Sequence, residues 1–283
     1  MTNKLNIKIP KTFMGLPVEG AMERILEKER SQSQEQPDDS KNQPFQVNNP
    51  NIVSHDYIQI PQLKRLISTY ELKDYNNMNW QDTHFKLQET GLLMPTIPEF
   101  MTHFINVVKS YQSKGKISLF DLAGNSLTKE EVEDIYFHLT KDHIAVYGNQ
   151  KGAWTWLDAK FVDDNGMKVH SEHRTFKDNQ GNKTLKPNKV EALERCVLKE
   201  CFIDFHSLNS QGLPKFELND KYEQGENIYF WQPENGRVAW FNAYSDRASL
   251  NCNLNSSIRS SDLGVFAVSS AGDKARQNAG GVK

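Results

Sequence analysis

The 283-residue sequence has few cysteines and no long hydrophobic run. Its cysteines, Cys196, Cys201 and Cys252, are too few and odd in number for a disulfide framework, which fits a reducing compartment. Cys196 and Cys201 could pair, although two half-buried thiols are the simpler interpretation. No apolar run approaches the roughly 18 residues that cross a bilayer, and the first residues lack the hydrophobic segment of a secretory signal. We expect cytoplasmic synthesis without membrane insertion, with display at a surface or on a virion as the alternative.

Strong charge and the common catalytic motifs are also missing. The chain carries 34 basic and 36 acidic residues, a net charge of −2. This balance does not favour binding to nucleic acid or to an anionic membrane. Neither a phosphate-binding glycine loop nor a Gly-x-Ser-x-Gly motif is present. Aromatic residues make up 10% of the chain, which is enough for an ordinary globular core.

Composition divides the chain into four segments. Residues Glu27 to Pro50 are rich in Gln, Ser, Asp and Pro and nearly free of aliphatic residues, which is typical of a flexible linker. Before it, Pro17 to Leu26 is a candidate for a short helix. We predict an N-terminal arm (1–26), a linker (27–55), one folded domain (56–268) with a special segment at 238–268, and a disordered tail (269–283).

Helix-start signals come early in the folded domain and strand signals come late. Asn79 can cap a helix from Trp80 to Thr90, and the spacing of Thr96 and Glu99 opens a second helix from Ile97 to Gln112. The signal recurs at Thr128, before a third apolar stripe. Short strands are expected on both sides of Pro61, hairpins or long loops after residue 148, and a final strand over Leu263–Val268. The sequence predicts an α+β fold with two main helices, a small antiparallel sheet and long irregular loops.

The segment from Asn242 to Asp262 is rich in short polar residues, since ten of its 21 residues are Asn or Ser. Within it, an apolar set alternates with a polar set: Ala248, Leu250, Cys252 and Leu254 against Ser249, Asn251, Asn253 and Asn255. On an extended backbone the two sets face opposite sides. Asn and Ser are poor strand formers, so a face built from them is typical of a recognition surface. The solvent-facing edge of an ordinary sheet is the alternative interpretation.

The stretch from Arg237 to Val268 resembles the C-terminal variable region of target proteins of diversity-generating retroelements. In that family an error-prone reverse transcriptase rewrites adenine-rich codons, often those of Asn, within a fixed frame. The positions that match the variable ones are Asn242, Tyr244, Asp246, Ser249, Asn251, Asn253, Asn255, Ser257 and Ser260. Those that match the fixed frame are Ala243, Ala248, Leu250, Cys252, Leu263 and Gly264. The frame departs from many relatives at Trp240 and Phe266, where Arg is frequent.

A second resemblance lies upstream. Trp80 with the stretch from Gly91 to Phe100 is similar to a Trp…Gly…Leu-Pro-Thr…Glu-Trp pattern in the formylglycine-generating-enzyme branch of the C-type lectin fold. The retroelement targets share that branch. Together the two matches cover about Tyr57 to Val268, and they imply a C-type-lectin-like domain.

The resemblance implies a non-enzymatic protein that displays a diversifiable recognition surface and needs no cofactor or metal. The expected ligand-binding residues are Trp240, Asn242, Tyr244, Asp246, Ser249, Asn251, Asn253, Asn255, Ser257, Arg259 and Ser260. Trp231 is a further candidate for aromatic contact, whereas Trp154 and Trp156 are expected in the core. The expected partner is a protein ligand, for which a cell-surface protein is one candidate.

Two other functional classes stay open as alternatives. One is a structural or attachment protein of a phage or cell surface; an adjacent reverse transcriptase gene and a template copy of the segment would argue against it. The other is an oxidase. Formylglycine-generating relatives use a cysteine pair where this chain has only Cys252, and iron enzymes on the fold use several histidines. Here His170 and His173 form the one close pair, in a segment interpreted as a solvated turn. Acidic turns account for Asp158, Asp163 and Asp164.

Overall fold

The chain divides into two units, residues 1–40 and 41–283. The computed structural model describes residues 12–13, 16–17, 43–45, 57–141, 152–218, 221–244 and 246–270. In the first unit, strand β1 (Thr12–Phe13) pairs antiparallel with β2 (Leu16–Pro17). Residues 18–26 of the predicted N-terminal helix, most of the predicted linker, and the predicted tail beyond residue 270 lie outside the described residues.

The described part of the second unit contains three main helices rather than two: α1 (Trp80–Glu89), α2 (Ile97–Gln112) and α3 (Lys129–Thr140). Each begins where the sequence predicts. The Asn79 side chain accepts a hydrogen bond from the backbone N–H of Asp82 at 2.8 Å. Thr96 and Thr128 each form a capping box with the glutamate three residues later. Gly91, with φ of +76°, follows the end of α1.

A seven-stranded sheet corrects the prediction of a small antiparallel one. Its order is β7-β6-β5-β10-β11-β9-β8, and all neighbours are antiparallel except β11 and β9, which run parallel. The strands are β5 (Trp154–Asp163), β6 (Met167–Lys177), β7 (Lys183–Ala192), β8 (Cys201–Ile203), β9 (Ile228–Trp231), β10 (Val238–Ala243) and β11 (Ala248–Leu254). Tight turns at Gly166 and Gly181, both with positive φ, let the turn-rich segment form long hairpins instead of loops.

A smaller sheet has three strands in the order β12 (Val268–Ser270), β4 (Arg65–Ser68) and β3 (Tyr57–Ile60). The two strands expected around Pro61 are β3 (Tyr57–Ile60) and β4 (Arg65–Ser68), joined by a short 3-10 turn. The domain also takes in residues before the expected start at 56. The Gln59 side chain accepts a hydrogen bond from the backbone N–H of Phe45 at 2.8 Å and donates to its carbonyl at 2.9 Å.

The segment Leu263–Val268 is buried as expected, but it is not a continuous strand. Strand pairing begins only with β12 (Val268–Ser270). Before it, the backbone N–H of Gly264 donates to Trp154 of the large sheet at 2.9 Å, and the carbonyl of Ala267 accepts from Ser68 of the small sheet at 2.8 Å. The segment therefore connects the two sheets.

The main apolar core lies between the helices and one face of the large sheet. Phe100 of α2 contacts Phe241 of β10, with ring centroids 4.8 Å apart, and Leu139 of α3 belongs to the same cluster. A second cluster lies beneath α1, where Trp80 and Trp156 are both buried. No helix among the described residues is both long and apolar enough to cross a membrane.

Candidate functional site

The apolar residues of β11 face the main core. Ala248, Leu250 and Cys252 are fully buried there, beside Phe241 and Ala243 of β10. This confirms the inward direction predicted for these three positions. Leu254, at the end of the strand, is only half buried and packs against the second cluster.

The polar residues of β10 and β11 share the opposite face. Asn242 lies opposite Ser249, and Trp240 lies opposite Asn251, in the antiparallel register. Directly opposed residues project to the same side of a sheet, as do residues two apart along a strand. The four side chains therefore form one continuous patch.

Strand β9 adds aromatic residues on the other side of this patch. In the parallel register, Asn251 lies opposite Trp231 and Ser249 lies opposite Tyr229. Asn251 thus has Trp240 as its neighbour on β10 and Trp231 as its neighbour on β9. The short polar side chains occupy the middle of the patch, and larger rings stand on both sides of them.

An open cavity of about 410 Å³ lies over the patch. The cavity is lined by Trp231, Trp240, Asn242, Tyr244, Asp246, Arg247, Ser249, Asn251, Asn253 and Leu254. This volume falls within the range of small-ligand sites, roughly 300–1,000 Å³.

The middle of the patch is a floor rather than a displayed surface. Asn242 and Ser249 are each 1% exposed and Asn251 is 3% exposed, which corrects the expectation that the polar set points freely into solvent. Large rings flank these short side chains. Trp231 and Trp240 lie on either side of Asn251, and Trp154 on β5 lies opposite Asn242. The outward positions Asn253, half buried, and Asn255, exposed, fit the expectation better.

Hydrogen bonding on this floor is incomplete. Asn251 Nδ2 donates to Asn242 Oδ1 at 2.7 Å, while Asn242 Nδ2 is buried without a partner. Arg247 Nε is also buried without a partner, and the guanidinium lies 4.6 Å from the centre of the Tyr229 ring. Buried donors that lack acceptors cost free energy. A ligand that offers acceptor oxygens at these two atoms would recover it.

Tyr244 and Asp246 form the exposed rim of the cavity. The ring of Tyr244 is 36% exposed and lies edge-on to Trp154 at 4.8 Å. Trp154 also contacts Trp240 at 5.6 Å, so it is a half-buried support of the rim rather than a core residue as expected. Burial raises the pKa of Tyr244, so its hydroxyl stays protonated and can donate a hydrogen bond at neutral pH.

Seven of the eleven predicted binding residues line this cavity, and four lie outside its lining: Asn255, Ser257, Arg259 and Ser260. Asn255 Oδ1 accepts hydrogen bonds from the backbone N–H and the hydroxyl of Ser257, at 3.0 and 2.9 Å. Arg259 pairs with Asp82 in α1, and the Ser260 carbonyl accepts from the backbone N–H of Asn77 at 2.8 Å. Arg259 and Ser260 therefore hold the loop after β11 against the start of α1, while Asn255 and Ser257 stabilise the turn within the loop.

Sequence reasoning did not include Trp231, Arg247 and Leu254 among the binding residues. The sequence marks Trp231 as a candidate for aromatic contact, but its place beside Asn251 depends on the parallel pairing of β9 with β11. No local pattern reveals a pairing between strands so far apart in sequence. Arg247 directly follows Asp246, a predicted binding residue, and this adjacency is the one feature of the sequence that points to Arg247.

The interpretation of His170 to His173 as a solvated turn is wrong. Both residues lie in strand β6, and His173 is buried against Asp158 of β5. Asp158 is therefore not an acidic turn residue either, whereas Asp163 and Asp164 do flank the β5–β6 turn, where Asp163 Oδ1 accepts from the backbone N–H of Gly166 at 3.2 Å. Helix α1 covers Asp158 and His173, with the ring of Trp80 4.9 Å from that of His173.

The described residues include all three cysteines, Cys196, Cys201 and Cys252. All three are free thiols. Burial raises the pKa of the Cys252 thiol well above its usual value, so the nucleophilic thiolate is disfavoured. Cys196 and Cys201 are half buried and unpaired, as the simpler interpretation expected.

The chain matches no family model, no curated protein and no solved structure.

Proposed function

We propose that this protein is a non-enzymatic receptor for a protein ligand, and that the cavity between β9, β10 and β11 receives side chains of that ligand. The resemblance to retroelement target proteins, with a C-type-lectin-like scaffold and a diversifiable segment, is part of the proposal. The observation that carries it is the convergence of seven predicted positions around one open cavity.

The two faces of β11 explain how such a site can vary. Its apolar residues, among them Leu250 and Cys252, pack into the main core and fix the backbone. Its polar residues contact the cavity instead. A substitution on the cavity face therefore leaves the core packing in place, because strand alternation separates the two sets.

The chemistry of the lining favours a protein ligand. Trp231, Trp240 and Tyr244 supply rigid aromatic area, and the Asn and Ser side chains supply adaptable hydrogen bonds, a composition typical of protein-binding surfaces. Among the described lining residues Asp246 is the single carboxylate. One carboxylate is too few for the oxygen-rich calcium site on which many sugar-binding lectins depend.

The proposal is tested by panning a peptide-display library against the immobilised full chain and measuring the affinity of the selected peptides. The pocket variant combines Tyr244→Ala with Asp246→Ala. Both side chains are exposed on the rim, so urea unfolding of this variant should match wild type. We expect its affinity for the selected peptides to fall at least about tenfold, which corresponds to roughly 1.4 kcal/mol.

A matched control combines Ser257→Ala with Ile258→Ala, two exposed residues of the same segment that lie outside the cavity lining. This variant should bind the peptides within about twofold of wild type. Failure of the library to yield any binder, or peptides that bind the pocket variant as tightly as wild type, would overturn the proposal.

A further inference from the structure

Two histidines and an aspartate meet in the layer between α1 and the β5–β6 hairpin. His84 comes from α1, Asp158 from β5 and His173 from β6. One nitrogen or oxygen atom of each side chain lies within 4.8 Å of the others. None of the three residues belongs to the lining of the cavity described above.

All three side chains are enclosed, with exposures between 1% and 3%. Asp158 Oδ1 lies 2.5 Å from His173 Nδ1, and Asp158 Oδ2 accepts the backbone N–H of His173 at 2.9 Å. His84 Nε2 points toward the same carboxylate but stays 3.6 Å from Oδ1, and it has no hydrogen-bond partner. A buried imidazole nitrogen without a partner is costly, and at His84 it faces a carboxylate and a second imidazole that could share an ion with it.

We propose that this cluster binds one divalent transition-metal ion of the zinc type, through His84 Nε2, an oxygen of Asp158 and His173 Nδ1. Imidazole nitrogen and carboxylate oxygen are ordinary ligands of zinc. With metal–ligand bonds of about 2.0–2.1 Å, neighbouring ligands of a tetrahedral site lie about 3.3 Å apart. The separations of 2.5 and 3.6 Å bracket that value, and the ligand atoms of His84 and His173 lie within 4.8 Å of each other. Small side-chain movements would therefore bring all three ligands to one ion.

Neighbouring residues already hold the ligands in place, as expected around a metal. The Trp80 ring packs edge-on against His84 and His173, at 4.4 and 4.9 Å between centroids. Its indole Nε1 donates to the Leu157 carbonyl at 2.9 Å, which fixes the ring. The Gln88 side chain donates to the His173 carbonyl at 3.1 Å and accepts the backbone N–H of Thr175 at 2.8 Å, which links α1 to β6.

The burial of the cluster assigns the ion a structural role. A substrate could not reach ligands that are almost fully enclosed, and an ion held there would tie α1 to the hairpin. Such an ion enters as the chain folds, so its binding contributes directly to the free energy of unfolding. Three protein ligands leave a fourth position that one water molecule can fill.

The first measurement is the metal content of the untagged full-length chain, purified without metal-affinity resin. We expect about one divalent transition-metal ion per chain in wild type and a loss of most of it in His84→Gln. The control is His103→Gln. His103 is another buried helix histidine whose Nε2 lacks a partner, but it packs between Phe100 and Phe266, away from the cluster. This control should keep the metal.

A second measurement applies if His84→Gln does not fold. Wild type is unfolded in urea with a chelator, freed of metal, and refolded with Co²⁺. Visible absorption bands of four-coordinate Co²⁺ should saturate at one equivalent, with a higher midpoint of thermal unfolding than the metal-free protein. Wild type without bound metal and without these bands, or a His84→Gln protein that retains its metal, would show that the cluster is only a hydrogen-bonded polar network.

Discussion

Replacing Leu250 with alanine tests whether β11 has one structural face and one binding face. Leu250 is fully buried and lies at the centre of the strand, opposite Phe241 on β10 and Phe230 on β9. Both neighbours are held by strand pairing, so they cannot easily move into the space that the lost carbons leave. Leucine-to-alanine changes in such cores cost about 2–5 kcal/mol, and we expect about 3 kcal/mol or more here.

Equilibrium unfolding in urea, followed by tryptophan fluorescence and circular dichroism, measures this loss. With a denaturant slope of about 1–3 kcal/mol per molar, the midpoint for Leu250→Ala should fall by about 1 M or more. The slope itself should not change, since the substitution leaves the extent of surface exposed on unfolding nearly the same.

The matched change on the other face is Asn253→Ala. Asn253 is half buried and lines the cavity, so its removal should alter the free energy of unfolding by no more than about 0.5 kcal/mol. If Leu250→Ala costs less than about 1 kcal/mol, or if Asn253→Ala costs as much as Leu250→Ala, the division of β11 into two faces is wrong.

Two further predictions concern residues outside the site. Burial lowers the pKa of His103 from 6.5 to about 3. Between these two pH values the unfolded chain binds a proton at His103 that the folded chain does not. The free energy of unfolding therefore falls as the pH is lowered, by up to about 1.4 kcal/mol per pH unit. His103→Gln should lose less stability than wild type between pH 7 and pH 5, measured by urea unfolding. Gly212→Ala should lower the midpoint of thermal unfolding, because φ is +76° and a Cβ would lie 2.7 Å from Ile97 Cγ2. Gly236→Ala, with φ of +78° but no atom within 4 Å, should lower it less.

Local signals in the sequence were enough to place the helices. A side-chain cap involves residues only three positions apart, so Asn79, Thr96 and Thr128 each mark a start that the structure reproduces. The strands after residue 152 were harder to predict. Long hairpins depend on pairing along their full length, and the sequence shows only the turns that close them, such as Gly166 and Gly181.

At the candidate site too, the sequence predicts features within one strand but not the pairing between strands. Alternation along β11 correctly separated Leu250 from Asn251, because it depends only on the pleat of one strand. It could not show that Trp231 lies beside Asn251, since that contact requires the parallel pairing with β9. Nor could it bring His84, Asp158 and His173 together, because they come from three elements whose packing no local pattern specifies.

The exposure of each position limits how this surface can vary. At the floor, the Asn251 side chain donates a hydrogen bond to Asn242, and a tryptophan lies on each side of Asn251. A larger or apolar residue there would either displace the rings or leave a buried polar atom unpaired. At the rim, Tyr244 and Asp246 are exposed, so a substitution there neither displaces a buried ring nor leaves a buried polar atom unpaired. Variation that preserves folding should therefore be broad at the rim and restricted to small hydrogen-bonding residues at the floor. An ensemble of folded variants selected from a library randomised at these four positions would reveal that difference directly, and equal tolerance at floor and rim would show that the floor is not packed as described.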